Sequence, residues 1–588
     1  MLLLPRKGVR NMAVLFLNAN NMDERQSKII IYQVIVRLFG NNNRHCVNNG
    51  GITENGCGKM ADFTAKALNE IKKLGATHIW YTGIIEHATQ TDYRRYNIRP
   101  DHPAIVKGKA GSPYAIKDYY DVDPDIATDI PERMKEFENL ILRTHRNGLK
   151  AIIDFIPNHV ARQYHSDAKP EGVADLGAHD NTACAFSPKN NFYYIPQTEL
   201  HGQFDMKGPA SEPYREYPAK VTGNDRFDAS PNINDWYETV KLNYGVDYMN
   251  GRSTHFNPVP DTWHKMLDIL LFWSSKRVDG FRCDMAEMVP VEFWKWAIPQ
   301  VKAKYPNILF IAEVYNPAEY KNYLYRGKFD YLYDKVGLYD TLRAIIGNRQ
   351  SATAITRAWQ NLDGSEQRML NFLENHDEQR VASDFFAGNP QKAIPGLLVS
   401  ACMNTNPMMI YFGQEFGEMG MDSEGYSGRD GRTTLFDYWS VNTIRRWRNG
   451  GKFDGKLLTD EQKRLYAAYQ LILNLCNQEK AISQGAFFDL MYANLNGWRF
   501  NEHRQYAFLR KFENELLIIT VNFDPTPANI ALNIPEHAFE FLQIPTKTQC
   551  KTTDLLNGNK EGLINLTPRK AVEMSIEGYG GKMLKIVL

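Results

Sequence analysis

Residues 150–159 read Lys-Ala-Ile-Ile-Asp-Phe-Ile-Pro-Asn-His. The run Lys150–Ile156 is mostly apolar and β-prone, which predicts a strand buried on both faces. Polar residues gather at its C-terminal end: Asp154, Asn158 and His159. Just upstream, Glu132–Asn147 has helical periodicity, with Pro131 near its start and Gly148 at its end. A helix leading into a buried strand is therefore the local unit.

The unit recurs on both sides. Strands are predicted at Ile29–Val36, His78–Ile84, Val278–Cys283, Ile308–Val314, Phe329–Tyr333, Met369–Glu374 and Pro407–Phe412. Helices are predicted between and after them, at Lys59–Leu74 (stopped by Gly75), Asp261–Lys276 and Glu461–Cys476. With Lys150–Ile156 this makes eight strands, each followed by a helix or a long insertion. That pattern predicts a closed (β/α)8 TIM barrel of parallel strands.

Two stretches break the alternation. From Ala161 to Arg252 the chain is rich in Asn, Asp, Pro, Gly and Tyr and has no long periodic helix. A structureless loop of that length does not suit a compact domain, so an inserted subdomain after the third strand is expected. Near the C-terminus, Tyr506–Phe512 and Leu516–Phe523 flank Glu513-Asn514 as a hairpin, and Lys582–Leu588 reads as a further strand. The expected organisation is a barrel of α/β class in two parts, 1–160 and 254–485. The inserted subdomain spans 161–253, and a C-terminal all-β sandwich spans 486–588.

Composition narrows the function classes. Hydrophobic residues at 43% and charged residues at 23% mark a globular chain. The net charge of +1 supplies no field for nucleic acid or an anionic membrane. No basic block is interleaved with aromatics, and no apolar run reaches the roughly 18–20 residues that span a bilayer. Neither nucleic acid nor membrane is an expected partner. Aromatics at 12% serve either core packing or flat faces for sugar rings. The seven cysteines are odd in number and widely spaced, which fits neither a disulfide framework nor a zinc site and suits a reducing compartment. Arg6, Lys7 and Arg10 precede a short apolar run, Met12–Leu17, which Asn18 ends. A signal peptide needs about 7–15 apolar residues, so the expected location is the cytoplasm, with Met12 an alternative start.

In such a barrel the chemistry sits at the C-terminal strand ends. Those ends carry Asp154, Asn158 and His159, then Arg282 and Asp284, then Glu313, then Asn375, His376 and Asp377. An isolated carboxylate at a strand end is usually a cap or an ion pair; the ensemble is what points to catalysis. Three carboxylates with an arginine and two histidines suit glycosidic bond cleavage. Two carboxyls about 5–5.5 Å apart allow a double displacement, one attacking the anomeric carbon and the other protonating the leaving oxygen. Arg282 lies two residues before Asp284, on the same strand face, where it can keep a nucleophile ionised. Glu313, on a buried strand among other carboxylates, suits the proton donor.

The segments DFIPNH (154–159), GFRCD (280–284), AEV (312–314) and FLENHD (372–377) resemble, in order and spacing, the signature segments of the α-amylase family of glycoside hydrolases, family 13. Ser112–Tyr120, Lys241-Leu-Asn243 and Gly413-Gln-Glu415 are also similar to family segments. The resemblance covers roughly Ile29 to Trp439. It implies Asp284 as nucleophile, Glu313 as acid/base and Asp377 as a grip on sugar hydroxyls in the distorted ring. It further implies Arg282 as orienter of Asp284, His159 and His376 as hydroxyl-binding groups, and Tyr114 as a stacking platform. Asp154 would hold the strand ends together.

Departures from the family pattern also matter. Glu287-Met288 stand where many relatives have Lys-His, and Ser112 where many have histidine. Glu287 would then face leaving-side sugars as an acceptor, or be a solvated bystander. Asn158 is either a ligand of the structural calcium many amylases carry, helped by Asp167, Asp175, Asp205 or Asp225, or a loop-fixing amide. No cofactor is needed for the chemistry. The expected function is retaining hydrolysis of α-glucosidic bonds, α-1,4 first, in starch-derived glucans or maltooligosaccharides. The alternatives are transglycosylation or α-1,6 cleavage by the same residues. A non-catalytic barrel scaffold is a further alternative, which the presence of Asp284, Glu313 and Asp377 argues against.

Overall fold

In a computed structural model, which describes residues 28–588 apart from 559 and 569, eight parallel strands close into a barrel. They are β1 (Ile30–Ile35), β2 (His78–Thr82), β3 (Lys150–Phe155), β4 (Gly280–Cys283), β5 (Leu309–Ala312), β6 (Tyr331–Tyr333), β7 (Met369–Phe372) and β8 (Met408–Tyr411). Neighbours in sequence are neighbours in space, and β8 returns to pair with β1. The basic stretch Arg6–Arg10 and the short apolar run after it lie outside the described residues.

Strand alternation decides what reaches the rim. Ile31, Trp80, Ile152, Ile311, Leu370 and Met409 pack together inside the barrel. Two residues further along the same faces come Gln33, Asp154 and Glu313. Register then levels them: Arg282 pairs with Asp154 on one side and Ile311 on the other.

Helices around the barrel follow local signals. The helix Ala65–Leu74 buries Ala67, Leu68, Ile71 and Leu74, each large side chain contributing about 1.5–3 kcal/mol. It starts six residues later than its periodicity predicts. Thr64 caps it by accepting the Ala67 N–H, and Met60–Asp62 forms a separate 3₁₀ turn. Gly75 ends it at φ 116°, a conformation that needs glycine.

Between β3 and β4 the chain forms short antiparallel pairs and no helix up to Asp261–Ser275: His159–Ala161 with Thr239–Lys241, Tyr194–Ile195 with Ala219–Lys220, and Val246–Asp247 with Ser253–Thr254. From Ala486 onward a six-stranded antiparallel sheet and a two-stranded one form, with the short α-helix Glu536–Leu542 and the 3₁₀ turn Met491–Ala493 among them. Arg510 ties this sheet to the barrel: though fully buried, it donates to the carbonyls of Met403, Ala481, Ile482 and Gly485. Among the described residues no helix is long and apolar enough to cross a membrane.

Candidate active site

The predicted residues converge on the C-terminal rim, with Arg282 at the centre. Its Nη1 donates to Asp284 Oδ1 at 2.6 Å and lies 3.7 Å from Asp154 Oδ1. Its Nη2 is 2.8 Å from Glu313 Oε2, an ion pair without hydrogen-bond alignment. Nε donates to the Tyr333 hydroxyl at 3.2 Å. The rings of Trp80, Tyr114 and Tyr333 lie 5.3–5.5 Å from the guanidinium carbon. A planar fork with several donors can serve two carboxylates at once, which an ammonium cannot.

The chain turns sharply after Asp284. Met285 adopts a left-handed conformation (φ 42°), and its N–H donates to Glu313 Oε2 at 2.7 Å. Burial raises the Asp284 and Glu313 carboxyls above the usual carboxylate range, and Arg282 opposes this in both. Asp284 adds a second upward push on Glu313 by like-charge repulsion. Asp377 is held well above its ordinary value by burial, with Glu313 next. The three acids influence one another, so their protons come off as properties of the set and not of single residues.

The histidines are neutral. Burial brings His159 down to about 3, and its Nε2 is 4.0 Å from Asp284 Oδ2. His376 is lowered well below its ordinary value by burial. Its Nδ1 accepts from the Gln33 amide at 2.8 Å, which places the ring proton on Nε2. That Nε2 faces the Tyr114 hydroxyl at 2.7 Å and Asp377 Oδ2 at 3.0 Å. Both nitrogens of His376 are thus engaged within the protein. Asp154 accepts from Trp80 Nε1 at 2.8 Å, and burial lifts it to about 7.

Four contributors were not singled out from the sequence. Gln33, Trp80 and Tyr333 support His376, Asp154 and Arg282, and Tyr315 donates to Glu313 Oε1 at 2.5 Å. A signal existed for Tyr315: it stands two residues after Glu313, the spacing that linked Arg282 to Asp284.

Glu287, expected either to face leaving-side sugars or to be a solvated bystander, is tied to the backbone through one of its oxygens. Its Oε2 accepts the backbone N–H groups of Tyr315 (3.1 Å) and Asn316 (3.0 Å). A cavity of about 530 Å³ opens beside it, lined among others by Tyr248, Arg252, Phe256 and Asn316.

The residues near Asn158 do not fit a bound calcium. Asn158 Oδ1, the atom that would ligate, accepts from Lys241 Nζ at 2.8 Å, and the same ammonium pairs with Asp225 at 2.5 Å. Nδ2 of Asn158 donates to Gly223 O at 2.8 Å. A side chain at Gly223 would meet His159 Cβ at 2.9 Å, so this close approach needs glycine. Asp167 and Asp175 flank His165, and Asp205 caps its own turn. A separate buried acidic cluster, Glu86, Asp118 and Asp121, lies under the insertion, with Lys117 and Arg133 beside it.

Comparison with known proteins places the chain in a family. The α-amylase catalytic domain matches residues 40–446, and the chain belongs to the α-amylase family, whose enzymes are glycoside hydrolases. It is 25% identical over 399 residues to "Alpha-amylase 3" of Dictyoglomus thermophilum, covering 63% of this chain and 68% of that protein. It is 22% identical over 464 residues to "Neopullulanase 2" of Thermoactinomyces vulgaris, covering 78% and 63% respectively. In structure it is similar to the α-amylase of Geobacillus thermoleovorans solved with acarbose, at TM-score 0.62 and 18% identity over 95% of this chain and 98% of that one. That likeness bears on the fold.

Proposed function

We propose that the chain hydrolyses α-1,4-glucosidic bonds of starch-derived glucans or maltooligosaccharides with retention of configuration. The observation that carries this reading is the Arg282 fork, which holds one carboxylate on each side. Asp284, paired with the guanidinium, attacks the anomeric carbon. The bond to the leaving oxygen breaks as Glu313 gives that oxygen its proton. Water then attacks the glycosyl ester on Asp284, Glu313 takes the water's proton, and Asp284 leaves as carboxylate. Asp377, whose carboxyl is pushed well up by burial and then by Glu313, would hydrogen-bond sugar hydroxyls. Tyr114, half-buried, has its hydroxyl on His376 Nε2 and its ring stacked on the His376 ring at 5.1 Å, and would meet the sugar with its other face.

Relatives named alpha-amylase and neopullulanase support an α-glucan as substrate. A cytoplasmic enzyme would act on imported oligosaccharides, and fractionation of the native host tests that location. Proton NMR of a maltooligosaccharide digest tests the mechanism. The α-anomer is expected first, and early β-anomer overturns it. Pullulan and panose in the same assay separate α-1,4 from α-1,6 cleavage, and products longer than the substrate reveal transfer.

A further inference from the structure

Glu313 is surrounded unevenly. Its Oε2 faces the Met285 N–H and the Arg282 guanidinium, both of which only donate. An acid proton shared with Tyr315 therefore sits on Oε1, and Asp284 is the other group within hydrogen-bond reach of this carboxyl. At Oε1 stands the Tyr315 hydroxyl, 2.5 Å away. A phenol can donate to a carboxylate or accept from a carboxylic acid, so it satisfies both states of Glu313. Burial keeps the phenol protonated, since the Tyr315 hydroxyl is raised well above its usual value.

Tyr315 is itself held from two sides. Its ring packs against the apolar cluster inside the barrel. Its backbone N–H and that of Asn316 are taken by Glu287 Oε2, and Asn316 in turn caps the turn Pro317–Glu319 through Ala318 N. Tyr323 fixes the other end of this brace, donating to the carbonyls of Glu287 (3.0 Å) and Val289 (2.9 Å). A contact made only at a flexible loop would wander; this one is anchored to β4 and β5 alike.

We propose that Tyr315, braced by Glu287, is the positioning residue for Glu313, donating to its carboxylate when ionised and accepting from its carboxyl when protonated. This rests on the reading of Glu313 as acid/base. Glu313 must change state twice per turnover, and a hydroxyl that turns with it leaves neither state unpartnered. The other charged or titratable groups facing Glu313 are Arg282 and Asp284 from β4, Tyr333 from β6, Asp377 after β7 and His159 after β3. None of these changes in Tyr315→Phe.

The test is an infrared titration of the Glu313 carboxyl, taken as the difference between a protein and its Glu313→Gln variant, with no substrate present. Loss of the donor removes more from the ionised state, because charge-assisted bonds are the stronger. Tyr315→Phe should therefore raise the Glu313 midpoint by about one unit. The alkaline limb of kcat/KM should move up with it, and kcat on maltooligosaccharides should fall about 10–100-fold with little change in KM. Glu287→Ala should shift the midpoint in the same direction by less, and Glu287→Gln, whose amide oxygen still accepts both N–H groups, should restore it. An unchanged midpoint and an unchanged alkaline limb in a folded Tyr315→Phe would overturn the proposal. A wild type that cleaves no α-glucan would overturn the functional reading alone, because the infrared midpoint still reports the Tyr315–Glu313 contact.

Discussion

Two of this protein's buried cations, Arg282 and Lys241, are not alike. Arg282 sits among Asp284, Glu313 and Asp154, walled by three aromatic rings. Lys241 sits where the insertion meets the barrel, between Asn158 and Asp225, with the Tyr248 ring 5.1 Å from its ammonium. The arginine is a fork: it fixes directions, and it sets carboxylates that must stay distinct in role. The lysine is a point charge: it fills one hole and ties two chain segments together. The comparison teaches that the proposed catalytic rim draws geometry from its cation, whereas the junction draws only charge.

The largest effects are expected at the acids the fork holds. Asp284→Asn and Glu313→Gln should each lower turnover of maltooligosaccharides by several orders of magnitude without unfolding the protein. Glu313→Gln should keep more activity on an aryl α-glucoside with a good leaving group, which needs little protonation. Steady-state rates on both substrates measure this, and equal losses on both would remove Glu313 from the acid role.

Arg282→Lys tests whether the fork matters beyond its charge. An ammonium cannot reach both carboxylates, so kcat should fall on the order of 100-fold. The pH profile should also change. The guanidinium holds Asp284 and Glu313 down against burial, so weakening it raises both, and the acid limb of kcat/KM moves to higher pH. A variant with near-normal kcat and an unmoved profile would make Arg282 a simple counter-charge, no different from Lys241.

The smallest effect concerns the junction. Lys241→Met leaves Asn158 Oδ1 and Asp225 without their cation, and Tm should fall by on the order of 5 °C while kcat stays within a few-fold. In the wild type, EDTA should move Tm by about 1 °C or less, because the ammonium already stands at Asn158. A large EDTA-induced fall in Tm, reversed by calcium, would show that a cation contributes elsewhere in the molecule.

Much of the candidate site was legible because a strand has a fixed side-chain period. Ile152 and Asp154, Arg282 and Asp284, and Glu313 and Tyr315 each share a face by that rule alone. Tyr315 escaped notice all the same, because a tyrosine at a strand end has the same pattern as a core aromatic. Glu287 was legible only as a departure from a familiar pair; its partners, the N–H groups of Tyr315 and Asn316, lie 28 and 29 residues away on another strand's loop. The late start of the helix Ala65–Leu74 has a local cause, Thr64, which an apolar period does not weigh.

The sequence by itself determined the barrel, the residue types at its rim, and the class of chemistry those types permit. Periodicity and strand ends are local properties, and eight repetitions of them leave one closed arrangement. Only the tertiary structure decided what each rim residue faces. Lys241 meets Asn158 across 83 residues, and Tyr114 meets His376 across 262. No local rule links residues so far apart. Whether Asn158 holds a metal or a lysine, and whether His376 keeps a free nitrogen for a sugar, depends on which side chains close packing brings within hydrogen-bond reach.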